Sequence, residues 1–270
     1  MPFRHWLLLC FLLTCHVVSA QALECGARPL RLAFYENGLY YFRDAQGQAR
    51  GIDPDLVQEM QRRSGCRIET MVMARARIWA DLESGALDMA TSGIQTPERD
   101  RFAWFIHYQI QKNHAVIRRS LQNQVKQPQD FINDSKLIFG VVRGYKHGEQ
   151  QDKWLEPLRA AGRVQESPEI EIIFKKLKEN RIDAMYAPAP LYHKKLADLG
   201  FAQDVMIQDW APQTRGVMHG MILSKKSFAQ PEVAAWRKIL QEMRKDGSIK
   251  RIFLRYLPPE ETQRLLDMPD

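Results

Sequence analysis

Glu36, His107, His147 and Glu166 are the side chains whose positions along the chain suit general acid or base work. Nothing in their spacing pairs them. The sequence contains no Ser-His-Asp order and no glycine-rich phosphate loop, and the five histidines beyond residue 20 are scattered without the short intervals of metal sites. No catalytic residue, metal or cofactor is therefore assigned. What the chain does offer is binding chemistry. Tyr35 and Tyr40, with Phe34 and Tyr41, lie in and after the loop that ends the first predicted strand, where a phenol can stack on a ligand and still hydrogen-bond to it. Arg75, Arg77 and Trp79 follow the second predicted strand, and a guanidinium presents a planar fork of donors matched to a carboxylate. Capture of a small anion is the task these residue types suit.

The ends and the composition bound where this happens. Arg4 precedes an apolar run from Trp6 to Val18, and Val18-Ser19-Ala20 has the small residues a signal peptidase accepts. Residues 1–20 are expected to be a signal peptide cleaved after Ala20, which places the mature chain in the periplasm. The apolar run is too short to cross a bilayer, which takes roughly 20 residues, and no later stretch is a better candidate. The chain has 39 basic and 32 acidic residues, a net charge of +7, and loss of Arg4 with the leader leaves +6. That excess is diffuse: its densest cluster, Lys175-Lys176-Leu177-Lys178, belongs to the outer face of a predicted helix. No basic stripe marks a nucleic-acid partner. Cys25 and Cys66 remain as an even pair in an oxidising compartment, each just before a predicted strand of one β-α-β unit, and are expected to bond to each other.

The elements that must position these residues follow from hydrophobic period and punctuation. Leu30 to Tyr35 is a predicted strand. Asp53 as N-cap and Pro54 as first helical residue open a helix with Leu56, Val57 and Met60 on its buried side, ended by Gly65. Arg67 to Val72 is a strand, Ile78 to Ser84 a helix, and Leu87 to Ala90 a third strand leading into Thr91-Ser92-Gly93, all in a parallel sheet whose loops gather at the carboxyl edge. The same grammar returns about a hundred residues later. Leu137 to Val142 is a strand, Arg143-Gly144-Tyr145 a turn, and Ser167-Pro168 opens a helix with Ile170, Ile173, Phe174 and Leu177 on one face. The exit Leu177 to Asp183 matches Leu82 to Asp88 in spacing and polarity, which implies two similar α/β lobes. Trp104 to Arg118 is taken as the strand leaving the first lobe. The expected division is 21–118 with 216–270 for lobe one and 119–215 for lobe two, and two crossings between them make a hinge.

The order of elements, with Gly51-Ile52-Asp53-Pro54-Asp55-Leu56, Gly85-Ala86-Leu87-Asp88, Thr96-Pro97-Glu98-Arg99 before an aromatic strand around Phe105 and Tyr108, and the closing run Arg244 to Tyr256, resembles the extracellular solute-binding proteins of amino-acid and related ABC importers. The resemblance covers nearly all of the chain beyond the leader. It implies the two-lobed periplasmic binding protein type 2 fold, α/β with parallel-rich sheets and helices on both faces. It also implies that hydroxyls and amides after the third strand, with an arginine beyond, hold a ligand carboxylate, and the matching positions are Thr91, Ser92 and Arg99. From lobe two, Arg143, Tyr145 and Tyr186 are the candidates to close over the ligand. One departure stands out. The acid that grips an amino acid's ammonium in such proteins should follow Tyr186, where this chain has Ala187-Pro188-Ala189-Pro190, leaving Glu36 as a replacement.

The expected function is thus a monomeric periplasmic binder of a small carboxylate-bearing ligand serving an ABC importer. Two alternatives use the same scaffold. One is an exported enzyme such as a cyclohexadienyl dehydratase, and the other is a ligand sensor that docks its closed form on a membrane receptor.

Overall fold

The computed structural model describes Leu23 and residues 25–269, and the expected leader 1–20 with its cleavage site lies outside the described residues. Strand β1 (Leu30–Phe34) runs through the small hairpin β2 (Phe42–Arg43) and β3 (Ala49–Arg50) into helix α1 (Ile52–Ser64). Then come β4 (Ile68–Val72), α2 (Arg75–Ser84), β5 (Met89–Ile94) and the long β6 (Ala103–Gln111). The second lobe comprises β7 (Asn113–Arg118), α3 (Pro128–Asn133), β8 (Phe139–Val142), α4 (Glu149–Ala160), β9 (Val164–Ser167), α5 (Ile170–Lys178), β10 (Ala184–Pro188), α6 (Ala189–Leu199) and β11 (Val205–Gln208). The chain returns through β12 (Val217–Ser224) to α7 (Gln230–Lys245), α8 (Ser248–Leu254) and α9 (Pro259–Leu266).

Two five-stranded sheets result, ordered β4-β1-β5-β12-β6 and β11-β7-β10-β8-β9. They are mixed rather than parallel throughout: β12 runs antiparallel to β5 and β6, and β7 antiparallel to β10 and β11. The antiparallel strands are those at the crossings, where the chain passes directly from one sheet to the other without a crossover helix. Each sheet is covered on both faces. In lobe one, α1, α7 and α8 bury Leu56, Trp236 and Ile252 against one face while α2 packs Ile78 and Leu82 on the other. In lobe two, α5 and α6 cover one face and α3 and α4 the other.

Helix α1 shows how local sequence sets an element. Asp53 and Asp55 in its first turn favour the positive end of the helix dipole, and Gly65 ends it in the left-handed conformation with its N–H donated to Gln61 O. The N-cap, however, is Gly51, two residues earlier than the expected Asp53. Its φ of +131° and its closeness to Tyr40, whose carbonyl oxygen would lie 2.3 Å from an added Cβ, leave room only for glycine. Asp53 is thereby drawn inside the lobe and buried.

The internal repeat has a physical basis. Asp88 donates its backbone N–H to Arg31 O at 3.1 Å across the start of the sheet, and its carboxylate accepts the Arg31 N–H at 2.8 Å and the guanidinium of Arg28. Asp183 does the same in lobe two, accepting the Ile138 N–H at 2.7 Å and pairing with Arg118. Burial works against the Asp88 charge, but the two arginines hold its carboxyl well below the usual range.

The expected strand from Trp104 to Arg118 is two strands in different sheets, broken at Lys112. Sheet membership therefore puts the outward crossing at Lys112 rather than at 118. The return crossing lies between Gln208 and Val217. At Gly216 (φ +125°) an added Cβ would come within 2.5 Å of Gln111 O, so the two crossings touch backbone to backbone. Lys112 Nζ ties them again, 2.6 Å from Asp209 Oδ2.

The expected disulfide is present: Cys25 and Cys66 are bonded across a separation of 41 residues. It joins the residues ahead of β1 and β4, which pair in register from Leu30 with Ile68. Removing it should lower stability by about 2–4 kcal/mol from the loop it closes. Denaturant titration of a Cys25→Ala/Cys66→Ala chain checks this, with the parent under reducing conditions as the matching control.

Candidate ligand-binding cleft

A cavity of about 130 Å³ is enclosed between the carboxyl ends of the strands of the two lobes. Lobe one contributes Tyr35, Glu36 and Asn37 after β1 and the segment from Val72 to Arg75 after β4. Lobe two contributes Val142, Tyr145 and His147 after β8, Pro168 to Ile170 after β9, and Met185, Tyr186 and Pro188 of β10, with Ile173 and Leu191 from the helices behind. The walls are largely apolar, with a few polar groups converging on them.

Arg75 is the most unusual of these. It is 2% exposed. Its Nη2 donates to Ser92 O at 3.2 Å, while Nε and Nη1 have no partner among the described residues. The guanidinium carbon lies 4.2 Å from the centre of the Tyr35 ring and 4.9 Å from that of Trp79. Aromatic faces attract a cation without supplying the acceptors its N–H groups need. A buried charge with two idle donors is costly unless something answers it, and this residue is one of those that line the cavity.

The hydroxyls expected to touch the ligand do something else. Thr91 Oγ1 donates to Asp53 Oδ2 at 2.7 Å, and Ser92 Oγ lies 3.0 and 2.9 Å from the two oxygens of the same carboxylate. Tyr108 Oη is a third donor at 3.1 Å and also accepts the Ser92 N–H at 3.1 Å. All three side chains are buried in lobe one. Ser92 is held there with φ at 53°, and its carbonyl receives both Arg75 Nη2 and, at 3.3 Å, His219 Nδ1. Burial keeps His219 neutral, pushing its pKa down to about 3. Thr91 and Ser92 are thus bound to Asp53, the Ser92 carbonyl holds Arg75, and neither residue lines the cavity. Burial also raises the Asp53 carboxyl to about 6, against the three hydroxyl donors that favour its charge.

Arg99 is at the seam between the lobes. Its Nη1 donates to Ile94 O in lobe one and its Nη2 to Gly144 O in lobe two, both at 2.8 Å, and its guanidinium carbon sits 3.6 Å from the centre of the Trp79 ring. Burial, with the charge of Arg75 adding to it, pulls its pKa down to about 9. Beside this contact Gly144 approaches α2 so closely that an added Cβ would lie 3.0 Å from Ala76 Cα. Of the remaining expected site residues, Tyr35, Glu36, Tyr145 and Tyr186 line the cavity. Tyr40 is buried in the lobe-one core and Arg143 turns outward to Glu166, 3.6 Å away. Asn37, Met73, Val142, Met185 and Leu191 line the cavity without having been expected there. Their only mark in the sequence is a position at or near the end of a strand.

Of the four acid or base candidates, Glu36 and His147 reach the cavity. His147 is buried, its ring 5.0 Å from that of Tyr145 and 5.3 Å from that of Tyr186. Its Nδ1 lies 3.4 Å from Asp152 Oδ1, which also accepts the His147 backbone N–H at 3.0 Å. His107 stacks instead on Phe105 in β6, and Glu166 pairs with Arg159 on the surface.

Two α/β lobes joined by paired crossings and closed on one cavity define a cleft-binding protein of the two-lobed periplasmic fold. The chain belongs to the bacterial extracellular solute-binding proteins, family 3, whose profile matches residues 32–259. No curated protein matches it in sequence. Among solved structures it is similar to an ancestral arginine-binding protein bound to arginine, with a TM-score of 0.71 and 22% identity over 85% of this chain and 98% of that one. It is similar as well to the arginine-, lysine-, histidine-binding protein ArtJ of Geobacillus stearothermophilus (TM-score 0.72, 16% identity, 85% and 95% covered). A third is the ancestral amino acid-binding protein AncCDT-1, a precursor of cyclohexadienyl dehydratase (TM-score 0.69, 20% identity, 85% and 96% covered). At these identities the likeness speaks for the fold.

Two outcomes follow from this geometry. Between pH 4 and 6 folded Asp53 keeps a proton that the unfolded chain has released, so its contribution favours the folded state at the acid end and is lost as pH rises through about 6. Relative to Asp53→Asn, the parent should lose on the order of 1–3 kcal/mol over that window, which denaturant titrations at stepped pH would measure. Gly144→Ala should hold the lobes apart, because the new methyl meets the Ala76 backbone at a left-handed position (φ +76°). Small-angle scattering should show a larger radius of gyration than the parent's.

Proposed function

We propose that this protein captures a small carboxylate-bearing ligand, an amino acid or related anion, in the interlobe cavity and releases it unchanged to a membrane partner, an ABC importer in the first instance. The observation that carries this reading is Arg75: a buried guanidinium with two donors unpartnered among the described residues, on a residue that lines the interlobe cavity. A carboxylate there would accept both free N–H groups and answer the charge. Tyr35, on which the guanidinium rests, and Tyr145 and Tyr186 from the opposite lobe would enclose it. Arg99 would act by holding Gly144, and so lobe two, in the closed arrangement, since both its Nη atoms already serve backbone carbonyls. Closure then shifts the population toward the form in which the ligand is sealed from water. Membership of an extracellular family and the leader-like first twenty residues support action in the periplasm.

One observation favours a second reading. His147, oriented by Asp152, brings a ring nitrogen to the same cavity as Arg75, which is the arrangement a general acid or base would need. Product analysis on any ligand that raises the melting temperature separates the two, because a binder returns its ligand intact.

Under the binding reading, Arg75→Met should weaken affinity by about 2–5 kcal/mol, the usual cost of truncating one partner of a buried charge pair. Titration calorimetry with the best carboxylate found in a thermal-shift screen tests this, and unchanged affinity would remove Arg75 from the site. Arg99→Met should cost less and leave the enthalpy of ligand contact largely intact.

A further inference from the structure

Two interlobe seams flank the cavity, and they differ in charge. At one, Gly144 meets Ala76, and the charges around Tyr145 are Arg75, Arg99 and Asp152. At the other, the loop of lobe one after β1 meets α6, where an added Cβ on Gly38 would lie 2.6 Å from Leu191 Cδ1. Here the charges around Glu36 are Glu171, Lys195, Arg43 and Glu169. Lys195 is already paired with Glu171. Glu36 and Glu169 both line the cavity at this end. Val142, Ile173, Met185 and Leu191 make the rest of the lobe-two wall largely apolar.

We infer that the ligand carries its carboxylate and its ammonium at opposite ends of an apolar spacer, the carboxylate on Arg75 and the ammonium on Glu36 and Glu169. This rests on the reading of Arg75 as the carboxylate anchor. An ordinary α-amino acid holds its two charges one carbon apart, and near Arg75 the cavity wall offers no carboxylate for the second of them: Pro188 stands where β10 ends. The acids lie at the far seam. Burial raises the Glu36 carboxyl, with Glu171 adding to the effect, and an ammonium brought to it would favour the ionised form. The same sites make the affinity pH-dependent, because protonation of Glu36 removes the ammonium's partner.

The test uses two isomers of one composition, 6-aminohexanoate and norleucine, with hexanoate as the chain lacking an ammonium, in titration calorimetry on the full mature protein. The expected result is that 6-aminohexanoate binds at least tenfold more tightly than norleucine. Glu36→Gln and Glu169→Gln should each reduce its advantage over hexanoate, and acidification should do the same in the parent. Norleucine binding as tightly as 6-aminohexanoate, or more so, overturns the inference. If norleucine binding is then lost in Arg75→Met, the carboxylate reading stands while the spacing falls. Absence of binding by all three compounds overturns the inference as well, and a ligand from wider screening that binds Arg75→Met as well as the parent would overturn the anchor itself.

Discussion

Everything in this molecule turns on two strands of chain passing so close together that no side chain fits between them. Gly216 lies against Gln111 and Lys112, and Lys112 reaches across to Asp209. With the crossings joined in this way, the lobes have one easy relative movement, a swing about the paired segments, and the surfaces that meet in that swing are the carboxyl ends of both sheets. The cavity forms there for the same reason that open α/β sheets collect ligands at that edge: strand ends leave loops and helix starts free to converge.

Within lobe one the placement of a single cation has shaped several residues that never reach the cavity. The carboxylate of Asp53 takes three hydroxyl donors and so fixes Ser92, whose carbonyl then holds one arm of Arg75. Trp79 lies under Arg75 and Arg99 at once. The two arginines differ in their partners: Arg75 lines the cavity with two donors idle among the described residues, and Arg99 spends its Nη groups on a carbonyl from each lobe. On the proposed reading, this separates holding a ligand from holding the lobes together.

The fold was legible in the sequence wherever burial leaves a period. Leu56, Val57 and Met60, or Ile170, Ile173, Phe174 and Leu177, mark helix faces because water is excluded from one side of each. The repeated Asp88 and Asp183 read correctly as a repeat because each meets the same need, a carboxylate over the N–H that begins a neighbouring strand. Less visible was anything decided by contacts far apart in the chain. The break at Lys112 carries no turn residue, and what changes across it is the sheet in which the strand is paired. Asp53 looks like a helix cap in isolation, yet Gly51 takes that place and the carboxylate is claimed by Thr91, Ser92 and Tyr108. Arg75 could be named as a candidate but not set apart from Arg77. Only the folded chain shows that Arg77 pairs with Asp81 in solvent while Arg75 is enclosed.

The bond between Cys25 and Cys66 has a mechanical meaning. It lies at the amino ends of β1 and β4, whereas the cavity is at their carboxyl ends. A pull applied to the chain ahead of Cys25 is transferred covalently to the corner between α1 and β4 before it can peel β1 from its sheet. A surface or carrier attached through the amino terminus would therefore load the far side of lobe one and leave lobe two free to swing. On the proposed reading, in which that swing is the working stroke, this is the end of the chain by which the protein can be tethered without being stiffened.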